Sequence, residues 1–197
     1  MVRHNHHRAA AGRNCARRLS VFCAAVCLGG SLVLADAALR LDVTEAGGQY
    51  SVTASFAVTE PPDEVMAVLT DYERIPKYMP DVEVSRVVER TPGGVLVEQQ
   101  AVSKFMMFSR RVHLMLEVRE SGGTIRFRDR CGKSFAAYAG TWTVTQHDSL
   151  TIVDYQLNAR PSFEVPGFVL KRLLKRDAGL LIDRIKAEIA TRADRRQ

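Results

Sequence analysis

Residues able to do chemistry are few in this sequence, and their spacing argues mostly against catalysis. Cys131-Gly132-Lys133-Ser134 ends like a phosphate-binding loop, but such a loop needs its first glycine where Phe127 stands. No Gly-x-Ser-x-Gly run offers a strained serine nucleophile. His113 and His147 have no second ligand at the helical or hairpin spacing of a metal site, and His4, His6 and His7 sit in a basic N-terminal stretch. Cys131 has no histidine placed near it by the sequence, so it reads as a structural thiol. Two carboxylates stand out within β-patterned runs. Asp129 continues the inward phase of Ile125 and Phe127, whereas Asp154 is out of phase with Val153, Tyr155 and Leu157. An unpaired carboxylate on an apolar face is costly, so Asp129 must either pair with an arginine at the strand end or orient a polar group of a ligand. Arg126, Arg128 and Arg130 share the opposite face, as a solvated charge-mixed surface or as a phosphate-binding patch. These residues imply no catalytic constellation, no metal and no cofactor.

The elements that would position them begin after a leader. Of 28 Lys and Arg residues five (Arg3, Arg8, Arg13, Arg17, Arg18) lie in the first 18 positions, followed by the uncharged Leu19–Ala35 and an Ala-Asp-Ala site at 35–37. This is the pattern of a secretory signal peptide over 1–37, which places the protein in the periplasm or outside the cell. The alternative is an uncleaved leader anchoring it to the inner membrane. Without 1–37, five of the 28 cations go and only Asp36 of 22 acids, so the net charge falls from +6 to +2. The basic balance is then a leader property, and a nucleic-acid partner is not expected. Cys15, Cys23 and Cys27 leave as well, and Cys131 alone cannot form an internal disulfide. Residues 38–197 must hold as one domain by core packing.

In that domain period-two runs alternate with tight turns. Leu41–Ala46 and Gln49–Val58 flank Gly47-Gly48; Val82–Arg90 and Val95–Val102 flank Thr91–Gly94. Arg110–Glu120 and Thr124–Arg130 flank Ser121–Gly123; Ala136–Gln146 and Leu150–Ala159 flank His147–Ser149. Such pairs predict antiparallel hairpins in a meander. Two interruptions are helical. Pro61–Tyr72 places Val65, Val68, Leu69 and Tyr72 on one face, with Asp63 and Glu64 near its positive end. The second, from Gly167 onward, carries a stripe of Leu170, Leu174, Ala178, Leu181, Ile185 and Ile189. Pro76 and Pro80 are expected to end the first helical segment and push their preceding residues into extended geometry. Tyr72 and Tyr78, set among these prolines, either wall one end of a cavity or plug the core edge.

The fold class expected is α+β: a curved antiparallel sheet wrapped around a long C-terminal helix, with two short helices after the first strand. The segment Val68–Arg90, with Phe108–Val118, Tyr138–Thr145 and Pro166–Lys186, resembles the polyketide cyclase/dehydrase and coenzyme-Q-binding START-type family (the SRPBCC superfamily). The resemblance covers roughly residues 45–190 and implies a helix-grip fold over 38–197. It also implies a hydrophobic ligand, such as a lipid, a quinone or a polyketide-like molecule, held between sheet and helix. The residues expected to line that cavity are Tyr72, Tyr78, Phe127, Asp129, Tyr138, Trp142, Val153, Tyr155 and Leu157, with Leu174, Ala178 and Leu181 from the helix and room beside Gly179. The same inward residues read equally as core. The alternative function is a cyclase or dehydratase using Asp129, Tyr138 or Tyr155 as acid or base. Phe163 and Phe168, with Lys171, Arg172, Lys175 and Arg176, could rest transiently on an anionic membrane or form a solvated helix face over two core aromatics.

Overall fold

The computed structural model describes residues 39–105, 108–164 and 166–196, so the expected leader at 1–37 lies outside the described residues. Eight strands run β1 (Arg40–Ala46), β2 (Gln49–Val58), β3 (Val82–Thr91), β4 (Gly94–Phe105), β5 (Phe108–Ser121), β6 (Thr124–Asp129), β7 (Phe135–His147) and β8 (Leu150–Pro161). They form one antiparallel sheet in the order β1-β2-β8-β7-β6-β5-β4-β3. The hairpin turns fall where the sequence placed them. Gly122 and Gly123 turn β5 into β6 with φ of 54° and 75°, and Asp148 at φ 53° does the same between β7 and β8.

Three short pieces follow β2: α1 (Pro62–Leu69), a 3-10 turn (Tyr72–Arg74) and α2 (Ile75–Tyr78). They come one strand later than expected, because Gly47-Gly48 first folds β1 back onto β2. α1 buries Val65 and Val68 and stops at Thr70, whose hydroxyl donates to the Met66 carbonyl at 2.8 Å. The two prolines act differently. Pro80 leaves Met79 outside helical geometry, at φ −119° and ψ 84°, but Ile75 before Pro76 is helical. Pro76 therefore begins α2 rather than ending a helix, since the first turn needs no N–H from it.

The last element, α3 (Gly167–Asp194), packs chiefly on β1, β2, α1 and α2. Across the sheet order it is tied to the other edge by Ser103 Oγ donating to Asp177 Oδ2 at 3.0 Å, and by Arg184 reaching Asp81 at 4.0 Å. Both sheet edges thus meet the helix while the central strands arch over it. Leu116, Val118, Ile125, Trp142, Val144, Val153, Tyr155 and Leu157 of the arch face inward and are buried. From α3 come Ala178, Ile182, Ile185 and Ile189. Ile182, fully buried, takes the place expected of Leu181, which is only half-buried. Burying a side chain of this size contributes about 2 kcal/mol. No helix among the described residues is long and apolar enough to cross a membrane.

Candidate ligand site

The inner face is not closed evenly. Strand alternation aims Tyr138, Trp142, Tyr155 and Leu157 inward from β7 and β8, and Phe127 from β6. Trp142 and Tyr155 are register partners with ring centroids 4.2 Å apart, and both are buried. Val153, Leu157 and Ala178 are buried beside them. Phe127, Tyr138, Leu174 and Leu181 pack against this core yet stay half-buried, as do Val82 and Val112. These half-covered side chains come from β3, β5, β6 and β7 and, at Leu174 and Leu181, from α3; others, such as Leu41, Met66 and Ile75, lie on β1 and the short helices.

Aromatic packing shapes this region. Tyr138 meets Phe135 at 4.9 Å and Phe127 at 6.0 Å between centroids. Phe127 lies across Gly140, its register partner, where a Cβ would come within 2.4 Å of the ring. Only glycine lets the ring settle there. The Tyr138 and Tyr155 phenols are near enough to influence each other's ionisation, Tyr155 favouring that of Tyr138. Burial pushes Tyr138 up to about 12 even so, and raises Tyr155 well above the ordinary tyrosine value. Both are neutral hydroxyls at physiological pH.

The other expected positions divide. Tyr72 is buried and its hydroxyl donates to Glu120 Oε1 at 2.6 Å, joining the 3-10 turn to the end of β5. Desolvation and that carboxylate hold the phenol far above its usual range. Tyr78 lies among Arg192, Glu188, Asp71 and Arg74; burial, opposed by Arg192, takes it up to about 12. Arg192 bonds Glu188 Oε1 at 2.8 Å and Asp71 Oδ2 at 2.9 Å, and Arg74 reaches Glu188 at 3.2 Å. Both tyrosines thus hold the helical connection in place. Gly179, expected beside an open space, faces Leu41 of β1 at ordinary contact distance.

Asp129 departs from the arginine pairing and from the ligand-orienting role considered for it. Its carboxylate accepts the backbone N–H groups of Met115 at 2.8 Å, Gly132 at 2.9 Å and Cys131 at 3.2 Å, and the Cys131 thiol at 3.2 Å. Desolvation would raise its pKa, but these hydrogen bonds prevail and hold it below the usual carboxylate value. The carboxylate pins the β6–β7 connection onto β5. The arginines lie elsewhere: Arg128 and Arg119 bond Glu117 at 2.7 and 3.1 Å, a charge-mixed outer face. Phe163 is likewise covered, by the Arg110 guanidinium 3.6 Å from its ring centroid, whereas Phe168 is 79% exposed.

Sequence reasoning missed the buried outer-face carboxylate Glu98, held by Arg86 at 2.6 Å, Gln100 at 3.0 Å and His113 at 3.2 Å. Alternation marks it as outward, and nothing local reveals the three neighbours that enclose it. The Arg192–Glu188 pair was readable, being an i, i+4 spacing on a helix. Among the described residues no three or more His, Cys, Asp or Glu side chains gather as a metal site would need.

The same arrangement recurs in known proteins. A START superfamily protein from Mycobacterium smegmatis matches with a TM-score of 0.63 at 14% identity, over 72% of this chain and 97% of that one. A STAR-related lipid transfer protein from Xanthomonas axonopodis matches at 0.60 and 17%, over 77% and 98%. The Zhui aromatase/cyclase from a Streptomyces species matches at 0.61 and 15%, over 74% and 96%. These likenesses establish the helix-grip fold of the START superfamily. A search of curated protein sequences found no match. The family profile described as "Polyketide cyclase / dehydrase and lipid transport" covers residues 58–186. With that match spanning most of its length, the chain belongs to the polyketide cyclase / dehydrase and lipid transport family.

Proposed function

We propose that the protein is an exported carrier that holds a hydrophobic molecule, a lipid or a quinone or other isoprenoid or polyketide-like compound, between its sheet and the N-terminal half of α3. The observation that carries this reading is the set of half-buried apolar and aromatic side chains, Phe127, Tyr138, Leu174 and Leu181, on the inner face. Such surface is covered when an apolar guest lies on it. The leader pattern at 1–37 supports export to the periplasm, with anchoring through an uncleaved leader as the alternative. The neutral hydroxyls of Tyr138 and Tyr155 suit a guest that carries a carbonyl. They also bear on the cyclase or dehydratase reading, since both face one interior. A tyrosine at about 12 is ionised in only about one molecule in 10⁵ at pH 7, so hydrogen-bond donation fits these groups better than proton removal. Native mass spectrometry of the protein purified from its own host should find a bound apolar molecule. Leu174→Trp, which fills the half-covered space, should cut occupancy at least tenfold. A protein repeatedly free of any such molecule would overturn the reading.

The exposed face of α3 supports a membrane as the place of exchange. Phe168, Lys171, Arg172 and Lys175 recur at i, i+3, i+4 and i+7 and are all exposed, with Arg176 beside them. These cations stand near the positive end of the helix dipole, where an anionic surface would relieve their repulsion. Co-sedimentation with phosphatidylglycerol vesicles should exceed that with phosphatidylcholine at least fivefold, and Phe168→Glu should erase the difference. Equal binding to both vesicles would remove the membrane from the account.

A further inference from the structure

The outer face of the sheet, on the side away from the core, carries a hollow of about 430 Å³ built from two rows that cross four strands. Arg119, Arg126, Thr141 and Gln156 are successive register partners on β5, β6, β7 and β8. Glu117, Arg128, Ala139 and Asn158 form the neighbouring row, two residues away. Register partners point to one face, so these eight side chains share it. The floor is low because Ala139, Gly140 and Thr141 are small, with guanidiniums on the β5–β6 side and carboxamides on the β8 side. Charge here is not balanced. Arg119 and Arg126 stand directly opposite each other, an arrangement of like charges that costs stability. Glu117 accepts from Arg119 at 3.1 Å and from Arg128 at 2.7 Å, and lies 3.7 Å from Arg130. One carboxylate thus serves three guanidiniums, while Arg126 is exposed and meets no carboxylate among the described residues. Asp154, the next acid along β8, stands opposite Thr143, outside both rows. Asn158 Oδ1 already accepts from Ser51 Oγ at 2.6 Å, which leaves its NH2 group to donate.

We propose that this hollow binds a small water-soluble phosphate ester, its phosphate on Arg126 and Arg128 and its hydroxylated body across Thr141, Gln156 and Asn158. Guanidinium forks match phosphate oxygens and form charge-assisted hydrogen bonds with them. A phosphate supplies the negative charge that Glu117 cannot spare for Arg126, and it relieves the repulsion between Arg119 and Arg126. The volume falls in the range of small-molecule pockets, about 300–1,000 Å³, so the site takes a molecule larger than a bare ion. A phospholipid surface suits it less. The large exposed apolar residues, Val88, Phe168 and Leu180, all lie outside the hollow, so an acyl layer has no anchor there. The site is on the opposite face of the sheet from Leu174 and does not rest on the carrier reading.

Calorimetric titration of the intact protein with glucose 6-phosphate, inorganic phosphate and glucose tests this, read together with the ¹⁵N signals of the Arg126 and Arg128 guanidiniums. Glucose 6-phosphate should bind at one equivalent and shift those signals, and glucose should not. Inorganic phosphate should bind about fivefold more weakly than the ester, having no body to meet the carboxamides. Arg126→Gln should weaken ester binding about tenfold, as the loss of a charge-assisted hydrogen bond does, and Arg126→Lys should restore part of it. Gln156→Ala should weaken the ester about threefold and leave inorganic phosphate unchanged. Glu117→Gln should strengthen both. Arg126 and Gln156 are exposed, so these substitutions spare the core. Leu174→Trp and Phe168→Glu should leave binding intact, which separates this site from the carrier and membrane readings. The proposal is overturned by the absence of a saturable response, or by an equal response to glucose. Inorganic phosphate that binds as tightly as the ester, phosphatidylglycerol vesicles that bind in preference to it, or an Arg126→Gln protein that binds normally would overturn it too.

Discussion

The two halves of α3 are built differently. The C-terminal half buries Ile182, Ile185 and Ile189 and is bolted to the short helical connection by Arg192, Glu188, Arg74 and Asp71, with Arg196 on Glu64 at 2.8 Å. The N-terminal half buries Leu170 and Ala178 but leaves Leu174 half-covered, exposes Phe168 and four cations, and meets β4 through the Ser103–Asp177 bond described above. One helix therefore serves as an anchor at one end and as a loosely seated cover at the other. Local stability follows buried apolar contact, so opening of the interior should begin under the first turns of α3.

The sharpest way to break that contrast is to remove buried volume from each half. Ile182→Ala should destabilise the fold by about 4 kcal/mol, whereas Leu174→Ala should cost about 1.5 kcal/mol, as read from urea unfolding. Equal losses would mean that the helix is seated uniformly. A smaller effect concerns alkali. Tyr78 belongs to the bolted end, and its folded pKa, about 12, lies above the ordinary value of 10.0. Its contribution is complete below pH 10 and is lost as the pH rises toward 12, because ionisation is easier in the unfolded chain. Tyr78→Phe should therefore flatten the fall in urea midpoint between pH 10 and 12. An unchanged slope would place the sensitivity elsewhere, as at Tyr138.

Much of this architecture was legible before any coordinates. The glycine pairs at 47–48 and 122–123 and the alternation from Val112 to Val118 gave the hairpins and their buried face, because both signals are local. The stripe on α3 was legible to within one residue. Leu181 and Ile182 are neighbours, and only the direction from which β1, β2 and α1 approach decides which is buried. Asp129 was misjudged for a different reason. Its partners include the Met115 amide, fourteen residues away on another strand, and no periodicity announces a carboxylate folded back on the main chain. Tertiary proximity is what pattern reading cannot supply.

Trp142 offers the most direct test of the central claim, that an apolar guest lodges inside beneath the cover. It is the one tryptophan in the chain, it faces inward, and it stacks on Tyr155. Titration with a dibrominated fatty acid, a quencher that acts at contact range, should extinguish Trp142 emission saturably at one equivalent. Emission that stays bright, or falls only in proportion to added quencher without reaching a plateau, would mean that the interior admits no such molecule.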